Sequence, residues 1–189
     1  MTYARQLKTV IEWVGYGTLI GVVCGTASAF FLWLLDAATS FRSEHHSIVF
    51  LLPVAGIFVG LALERYGRPI QSGNSLVIDT IHDNGPRVPL RMAPMVLLGT
   101  VVTHLFGGSA GREGTAVQMG ASLADELSHR FGAQRHLRRQ LLAAGVAGGF
   151  GSVFGTPIAG AIFGLEFVVL GRIEYTALAP ALVASIVGD

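Results

Sequence analysis

The stretch Gly107-Gly-Ser-Ala-Gly-Arg-Glu-Gly-Thr115 decides how the rest of the chain is read. It sets one carboxylate, Glu113, in a glycine-rich break between two hydrophobic segments. The run before it, Met92 to Phe106, carries no formal charge; the run after it continues in a helix-like pattern from Gly114 to Leu127. An ionisable side chain at membrane depth is costly, so it is by default a candidate for function. At a helix N-terminus it also stands among free backbone N–H groups, which form an anion site. A carboxylate that fills such a site and leaves it on protonation predicts coupled movement of anions and protons.

Composition places this break in a membrane. The chain has 189 residues, 51% hydrophobic and 13% charged, where a soluble domain carries about 25% charged residues. Mean hydropathy is +0.58. The 25 glycines predict close helix packing, because small residues let backbones approach each other. A formal net charge of +1 argues against nucleic acid as the main partner. The single cysteine, Cys24, lies in an apolar run, reads as a packed residue and excludes a disulfide within the chain. No metal or cofactor motif is present, and His45-His46 reads as part of a solvated loop. Val14 to Leu35 has the length of a membrane span rather than of the shorter core of a cleavable signal peptide.

The fold class expected is all-α and polytopic. A first span covers Val10–Leu35 and ends at Asp36, followed by a polar loop, Ala37–Ser47. A second covers Ile48–Leu63 and ends in the basic turn Glu64-Arg-Tyr-Gly-Arg-Pro69. Ser75–Ile81 is too short to cross a bilayer and reads as a half-helix entering from one side. Leu90–Phe106 leads into the Glu113 break, and Gly114–Leu127 leads out of it. A basic connection, Arg130–Arg139, precedes the small-residue segment Leu141–Val153. Gly155-Thr-Pro157 interrupts that segment, with Pro157 in the first turn of Ile158–Leu170. A last segment begins near Glu174.

Eleven of the 13 basic residues fall on one side of this threading, which places the N-terminus in the cytoplasm. Gly73-Asn74 and Gly111–Gly114 then approach the membrane middle from opposite sides. Such breaks are tolerated only where protein or a cavity surrounds them. Half-helix N-termini aimed at a midplane anion recur in transporters built from inverted repeats. No repeat is evident within the chain, so it reads as one repeat, a single transmembrane domain over residues 1–189.

Gly111-Arg-Glu-Gly114 resembles the gating-glutamate motif of the CLC chloride channels and anion/proton antiporters. Phe150-Gly-Ser-Val-Phe-Gly-Thr-Pro-Ile-Ala-Gly-Ala-Ile-Phe-Gly-Leu-Glu166 is similar to the proline-containing, glycine-rich helix of that family. The resemblance covers essentially the whole chain but only the first of the family's two inverted halves. Three departures stand out. Chloride-selective members read Gly-Ser-Gly-Ile-Pro at the inner half-helix, whereas this chain reads Ser72-Gly-Asn-Ser-Leu-Val-Ile-Asp79. Thr115 stands where proline is usual. Glu166 is followed by Phe167 rather than by a second glutamate, so the internal proton-relay glutamate is absent. These departures resemble the bacterial fluoride/proton antiporter branch.

The resemblance implies fluoride export driven by inward proton flow, in a cell inner membrane or plasma membrane. It implies a multi-pass homodimer whose interface includes helices near Ile158–Leu170 and Tyr175–Val187. Its partners would be fluoride or another halide, protons and membrane lipid, with no cofactor. Glu113 would be gate and proton carrier. Gly73, Asn74, Ser75, Gly111, Arg112, Gly114 and Thr115 would bind the anion, with Thr156 and Glu166 as accessory residues. The alternative within the family is a chloride channel or chloride/proton antiporter. A non-transporting assembly subunit is a further reading, because the second half would supply the rest of the path.

Fluoride is small and holds water tightly, so its site must offer strong donors. Backbone N–H groups at helix starts supply them, and helix dipoles favour negative charge. Asn74 can add amide donors, depending on which way its amide points; its competing role is a helix cap. The competing role for Glu113 is a salt bridge to Arg112; for Glu166 it is pairing with Arg172. Thr115 and Thr156 could bond backbone carbonyls instead of ions. Asp79 reads as a surface residue and His104 as a hydrogen-bonded core residue. Gly107-Gly-Ser-Ala-Gly111 formally matches the Gly-x-Ser-x-Gly nucleophile elbow, which requires a strand–turn–helix setting.

Overall fold

Hydrophobic runs broken by glycine and proline fold into eight α-helices and three short 3-10 turns among the described residues, with no strand. The computed structural model describes residues 3–83, 85–168 and 175–189. The helices are α1 (Tyr3–Glu44), α2 (Leu52–Tyr66), α3 (Asn74–Asp83), α4 (Met92–Leu105), α5 (Arg112–Arg130), α6 (Arg135–Phe154), α7 (Pro157–Val168) and α8 (Leu178–Gly188). Thr9–Glu44 and His46–Tyr66 are long and apolar enough to cross a membrane, with mean hydropathies of 2.0 and 2.2. Arg172, Glu174 and the end of the expected Ile158–Leu170 helix lie outside the described residues.

The first helix overruns its expected end. The polar stretch 37–44 is not a loop but the last turns of α1. Its hydroxyls bond back to the helix they belong to: Thr39 Oγ1 donates to the Leu35 carbonyl at 2.8 Å and Ser43 Oγ to the Ser40 carbonyl at 2.7 Å. Polar side chains satisfied in this way do not end a helix. The chain turns at His45, whose Nδ1 lies 3.0 Å from the Phe41 carbonyl and whose ring stacks on Phe41.

Helix α6 is the centre of the packing, touching α1, α5, α7 and α8. Residues 140–149 are buried without interruption, the mark of a helix surrounded on all sides. Glycine makes that possible. A methyl group on Gly120 of α5 would overlap the Gly145 carbonyl, and one on Gly149 would lie 2.5 Å from the Ala116 carbonyl. Gly17, Gly21 and Gly25 line one face of α1 at four-residue spacing and meet the α8 backbone the same way, with Gly21 facing the Ala184 carbonyl and Gly25 the Gly188 carbonyl. Cys24, beside that face, is buried against Gly120 and Gly145, as expected of a packed residue. At the turn into α7, Gly155 takes a left-handed conformation (φ 62°) and Pro157 opens the helix.

A buried ion pair fixes the far end of α5. Asp125, fully buried, accepts from Arg138 Nε at 2.6 Å and Nη2 at 2.9 Å, and from the Val88 backbone N–H at 2.7 Å. One carboxylate thereby joins α5, α6 and the segment before α4. The expected basic connection is mostly helix: α6 already begins at Arg135, and the link from α5 shrinks to residues 131–134.

Replacing Gly120 by alanine should destabilise the protein, because overpacking costs about 1–3 kcal/mol. Gly15, which has nothing within 4 Å of a would-be Cβ, is the control. There alanine should be neutral or stabilising by up to about 1 kcal/mol through helix propensity. Thermal unfolding of the two purified variants checks the opposite signs; a Gly120→Ala variant as stable as Gly15→Ala would contradict the packing described.

Candidate anion site at two helix starts

The approach to α3 is a tight turn. The Gly73 N–H bonds to the Ile70 carbonyl at 2.9 Å and the Ser75 N–H to the Ser72 carbonyl at 3.0 Å. Gly73 sits at φ +55°, a left-handed conformation that favours glycine. Asn74 is then the first residue of α3. Helix α5 starts differently. Gly111 is its N-cap in extended conformation (φ −69°, ψ 126°), and no side chain caps it. The first-turn N–H groups of a helix have no intrahelical acceptor, so this end presents bare donors.

The two starts meet. Gln118, on the second turn of α5, donates from Nε2 to Asn74 Oδ1 at 2.9 Å. The same Nε2 lies 3.3 Å from where a Cβ on Gly73 would be and 3.7 Å from one on Gly114. Asn74 Nδ2 lies 4.0 Å from that Gly114 position. Its oxygen therefore faces Gln118 rather than capping its own helix, and its NH2 group faces the α5 start. Gly111, Gly114, Thr115 and Gln118 also line a cavity of about 410 Å³ that reaches α4 at Gly99 and Thr103.

Glu113 belongs to the first turn of α5, not to a loop, and is exposed. The extended Gly111 absorbs the change of direction, so the residues after it enter the helix at once. Its Oε2 lies 3.1 Å from where a Cβ on Gly111 would be, so the carboxylate folds back toward the bare N–H end of its own helix. Among the described residues it takes part in no hydrogen bond or ion pair. Arg112 does not neutralise it: its guanidinium carbon stands 6.0 Å from the centre of the Phe154 ring on α6, within cation–π range.

Thr115 is buried and its hydroxyl is engaged. It lies 2.6 Å from Thr100 Oγ1 on α4 and 3.3 Å from the Gly111 carbonyl. His104 Nδ1 contacts the Thr100 carbonyl at 2.9 Å, in keeping with a hydrogen-bonded packing residue. Ser75 and Asp79 are exposed on α3. Thr156 is exposed just before α7; its carbonyl accepts from the Gly160 N–H at 2.8 Å. Glu166 is exposed on α7, and its expected partner Arg172 lies outside the described residues. Structure thus brings Gly73, Asn74 and Gly114 together around Gln118, with Gly111 on the same cavity and Glu113 exposed on the same first turn of α5, while Thr156 and Glu166 belong to the start and body of another helix. The segment leading to Gly107 is helix α4, so the strand–turn–helix setting of a serine nucleophile is absent there.

Gln118 and Thr100 are site neighbours that sequence reading missed. The available signal was spacing: Gln118 is one helical turn beyond Gly114, a polar residue between buried Val117 and Met119.

Comparison with known proteins agrees with this architecture. The family model described as voltage gated chloride channel matches residues 55–189. A chloride/fluoride channel protein of Pseudomonas syringae pv. tomato is 55% identical over 183 residues, 97% of this chain and 40% of that protein. The crystal structure of a CLC-type fluoride/proton antiporter superposes with a TM-score of 0.88 at 36% identity, over 100% of this chain and 47% of that one. A slow cyanobacterial Cl−/H+ antiporter superposes with a TM-score of 0.75 at 23% identity, over 93% of this chain and 45% of that one, a likeness of fold. The chain thus spans about half the length of the relatives it matches.

If the Thr100–Thr115 contact holds the α5 start in place, Thr115→Val and Thr100→Val should each lower stability by about 0.5–1.5 kcal/mol. The double variant should lose no more than Thr115→Val alone, which also gives up the bond to the Gly111 carbonyl. Thermal melts of the three variants test this; additive losses would show that the two hydroxyls act separately.

Proposed function

The chain belongs to the voltage-gated chloride channel (CLC) family, and on that premise we propose that it forms one half of a fluoride/proton antiporter gated by Glu113. It is a membrane chain of an anion-transport family, not an enzyme. The observation that carries the finer reading is the meeting of the α3 and α5 starts. Asn74 turns its amide NH2 toward Gly114, and an unengaged carboxylate hangs from the same turn of α5.

A small, strongly hydrated anion leaves water only for several short donors. The bare N–H groups of α5 and the Asn74 amide offer donors from two neighbouring helix starts, where the helix dipoles favour an anion. The Glu113 carboxylate carries the same charge as the anion and competes for that position. On protonation it loses its attraction to the N–H groups, swings out and takes a proton with it; fluoride then enters. Exchange follows because carboxylate and anion cannot occupy one set of donors together. Thr115 serves this reading by holding the α5 start, its hydroxyl being occupied by Thr100 and the Gly111 carbonyl.

The remaining parts of the proposal follow from topology. α3 enters from the cytoplasmic side and α5 from the outside, as the arginine distribution directs. A second, inverted half completes the path, in accord with relatives of about twice this length. Exposed Ile158 and Ile162 on α7 and Ile186 and Val187 on α8 suit an apolar homodimer interface within the inner or plasma membrane. The name of the Pseudomonas relative favours one other reading, an uncoupled channel passing chloride or fluoride.

Liposomes holding the complete two-half protein separate these readings, with fluoride and chloride electrodes and a pH probe. Fluoride efflux with opposing proton movement and little chloride flux is expected. Glu113→Gln, which cannot release a proton, should lose proton movement by at least about tenfold while anion flux continues. Proton pumping at the wild-type ratio in that variant would refute the gate, and chloride flux equal to fluoride would return Asn74 to the role of an ordinary helix residue.

A further inference from the structure

Asn74 has an orientation problem. Its amide carries a donor group and an acceptor at nearly the same shape, and only the donor suits an anion. The surroundings favour the wrong choice. The start of α5 is a cluster of bare N–H groups at the positive end of a helix, so it attracts the amide oxygen, as in an ordinary cap. With no further constraint, Asn74 would turn Oδ1 toward α5 and present an acceptor to the path. The structure shows the reverse: Oδ1 is taken by Gln118 Nε2 at 2.9 Å, and Nδ2 is on the Gly114 side.

The geometry points to Gln118 as the positioning residue that holds the Asn74 amide with its donors toward the anion, and so as a determinant of anion selectivity. The assignment rests on the reading of Asn74 as an anion ligand. Three features of the site support it. Gln118 is half-buried and lines the cavity at the α5 start, where its amide is held by the bond to Asn74. Glycine stands on both sides of that amide: a Cβ at 73 would crowd Nε2 at 3.3 Å, and one at 114 would touch it at 3.7 Å, so side chains there would press on the amide. Finally, Gln118 hangs from α5 and Asn74 from α3, so their bond also sets the distance between the two helix starts.

A purely structural role would cost stability and leave the ratio of fluoride to chloride transport alone. A positioning role moves that ratio and does so only through Asn74. The experiment is therefore a double-mutant cycle on the complete protein in liposomes, reading fluoride and chloride efflux side by side. Gln118→Met keeps the bulk and removes the donor; Gln118→Ala, which only removes atoms, serves if methionine does not fit. Asn74→Ser supplies a hydroxyl that rotates freely and needs no orienting partner.

Gln118→Met is expected to lower the fluoride-to-chloride ratio by about tenfold, the scale of one hydrogen bond. Asn74→Ser should lower it as well, and adding Gln118→Met to it should change the ratio no further. An unchanged ratio in Gln118→Met beside a lowered one in Asn74→Ser would overturn the positioning role and leave Asn74 as a ligand. Independent, multiplying losses would also overturn it. A raised fluoride preference in Gln118→Met would mean that glutamine holds the amide reversed. An unchanged ratio in Asn74→Ser would overturn both this inference and the ligand reading beneath it.

Discussion

The constraint on which the rest depends is contact between helix backbones around α6. Within a bilayer there is little hydrophobic force to drive helices together, and association relies on close fit. Here the fit is carried to the point where carbonyl groups of one helix touch the Cα positions of the next, at Gly120 with Gly145 and Gly149 with Ala116. Because α5 is held this tightly along its middle, and by Asp125 and Arg138 near its end, its other end is a fixed object. The bare N–H groups of Gly111–Gly114 therefore hold their positions. An anion site built from backbone needs a rigid backbone.

The same rigidity explains the short helix α3. Ten residues cannot cross a bilayer. α3 survives at depth because its start is closed by the Gly73 turn and tied to α5 through Asn74 and Gln118. Its body is packed, with Leu76, Val77 and Ile81 in the same cluster as Val117, Leu142 and Val146. The broken backbone is thus surrounded by protein on one side and opens to the cavity on the other, the two surroundings that non-helical backbone at this depth tolerates.

Much of this was legible in the residues. The all-helical class, the half-helix after Gly73, the break at Gly111 and the restart at Pro157 all follow from glycine and proline set in apolar runs. The motifs around Glu113 and Pro157 led to the family. What was not legible depended on partners distant in sequence. Residues 37–44 look like a loop by polarity, yet their hydroxyls are satisfied within the helix. Arg112 and Glu113 look like loop residues beside glycines, but a single extended residue, Gly111, suffices to start α5 before them. Asp125 and Arg138 look like ordinary surface charges until the fold places one against the other in the interior. Gln118 carries no mark of its own; its importance comes from a contact 44 positions away.

Helix α1 has one more consequence. With 42 residues it is about 63 Å long, while the hydrocarbon layer is about 30 Å thick. Even a tilt of about 40° leaves a projection of about 48 Å, so the edge of the membrane falls inside a continuous helix and no loop marks it. The turns around Thr39 and Ser43 keep their hydrogen bonds in water or among headgroups alike. A thicker or thinner bilayer can then slide along α1 without breaking anything, while the ten residues of α3 stay enclosed by their neighbours. The protein thus places its tolerance to lipid thickness at the periphery and shields the paired helix starts from it.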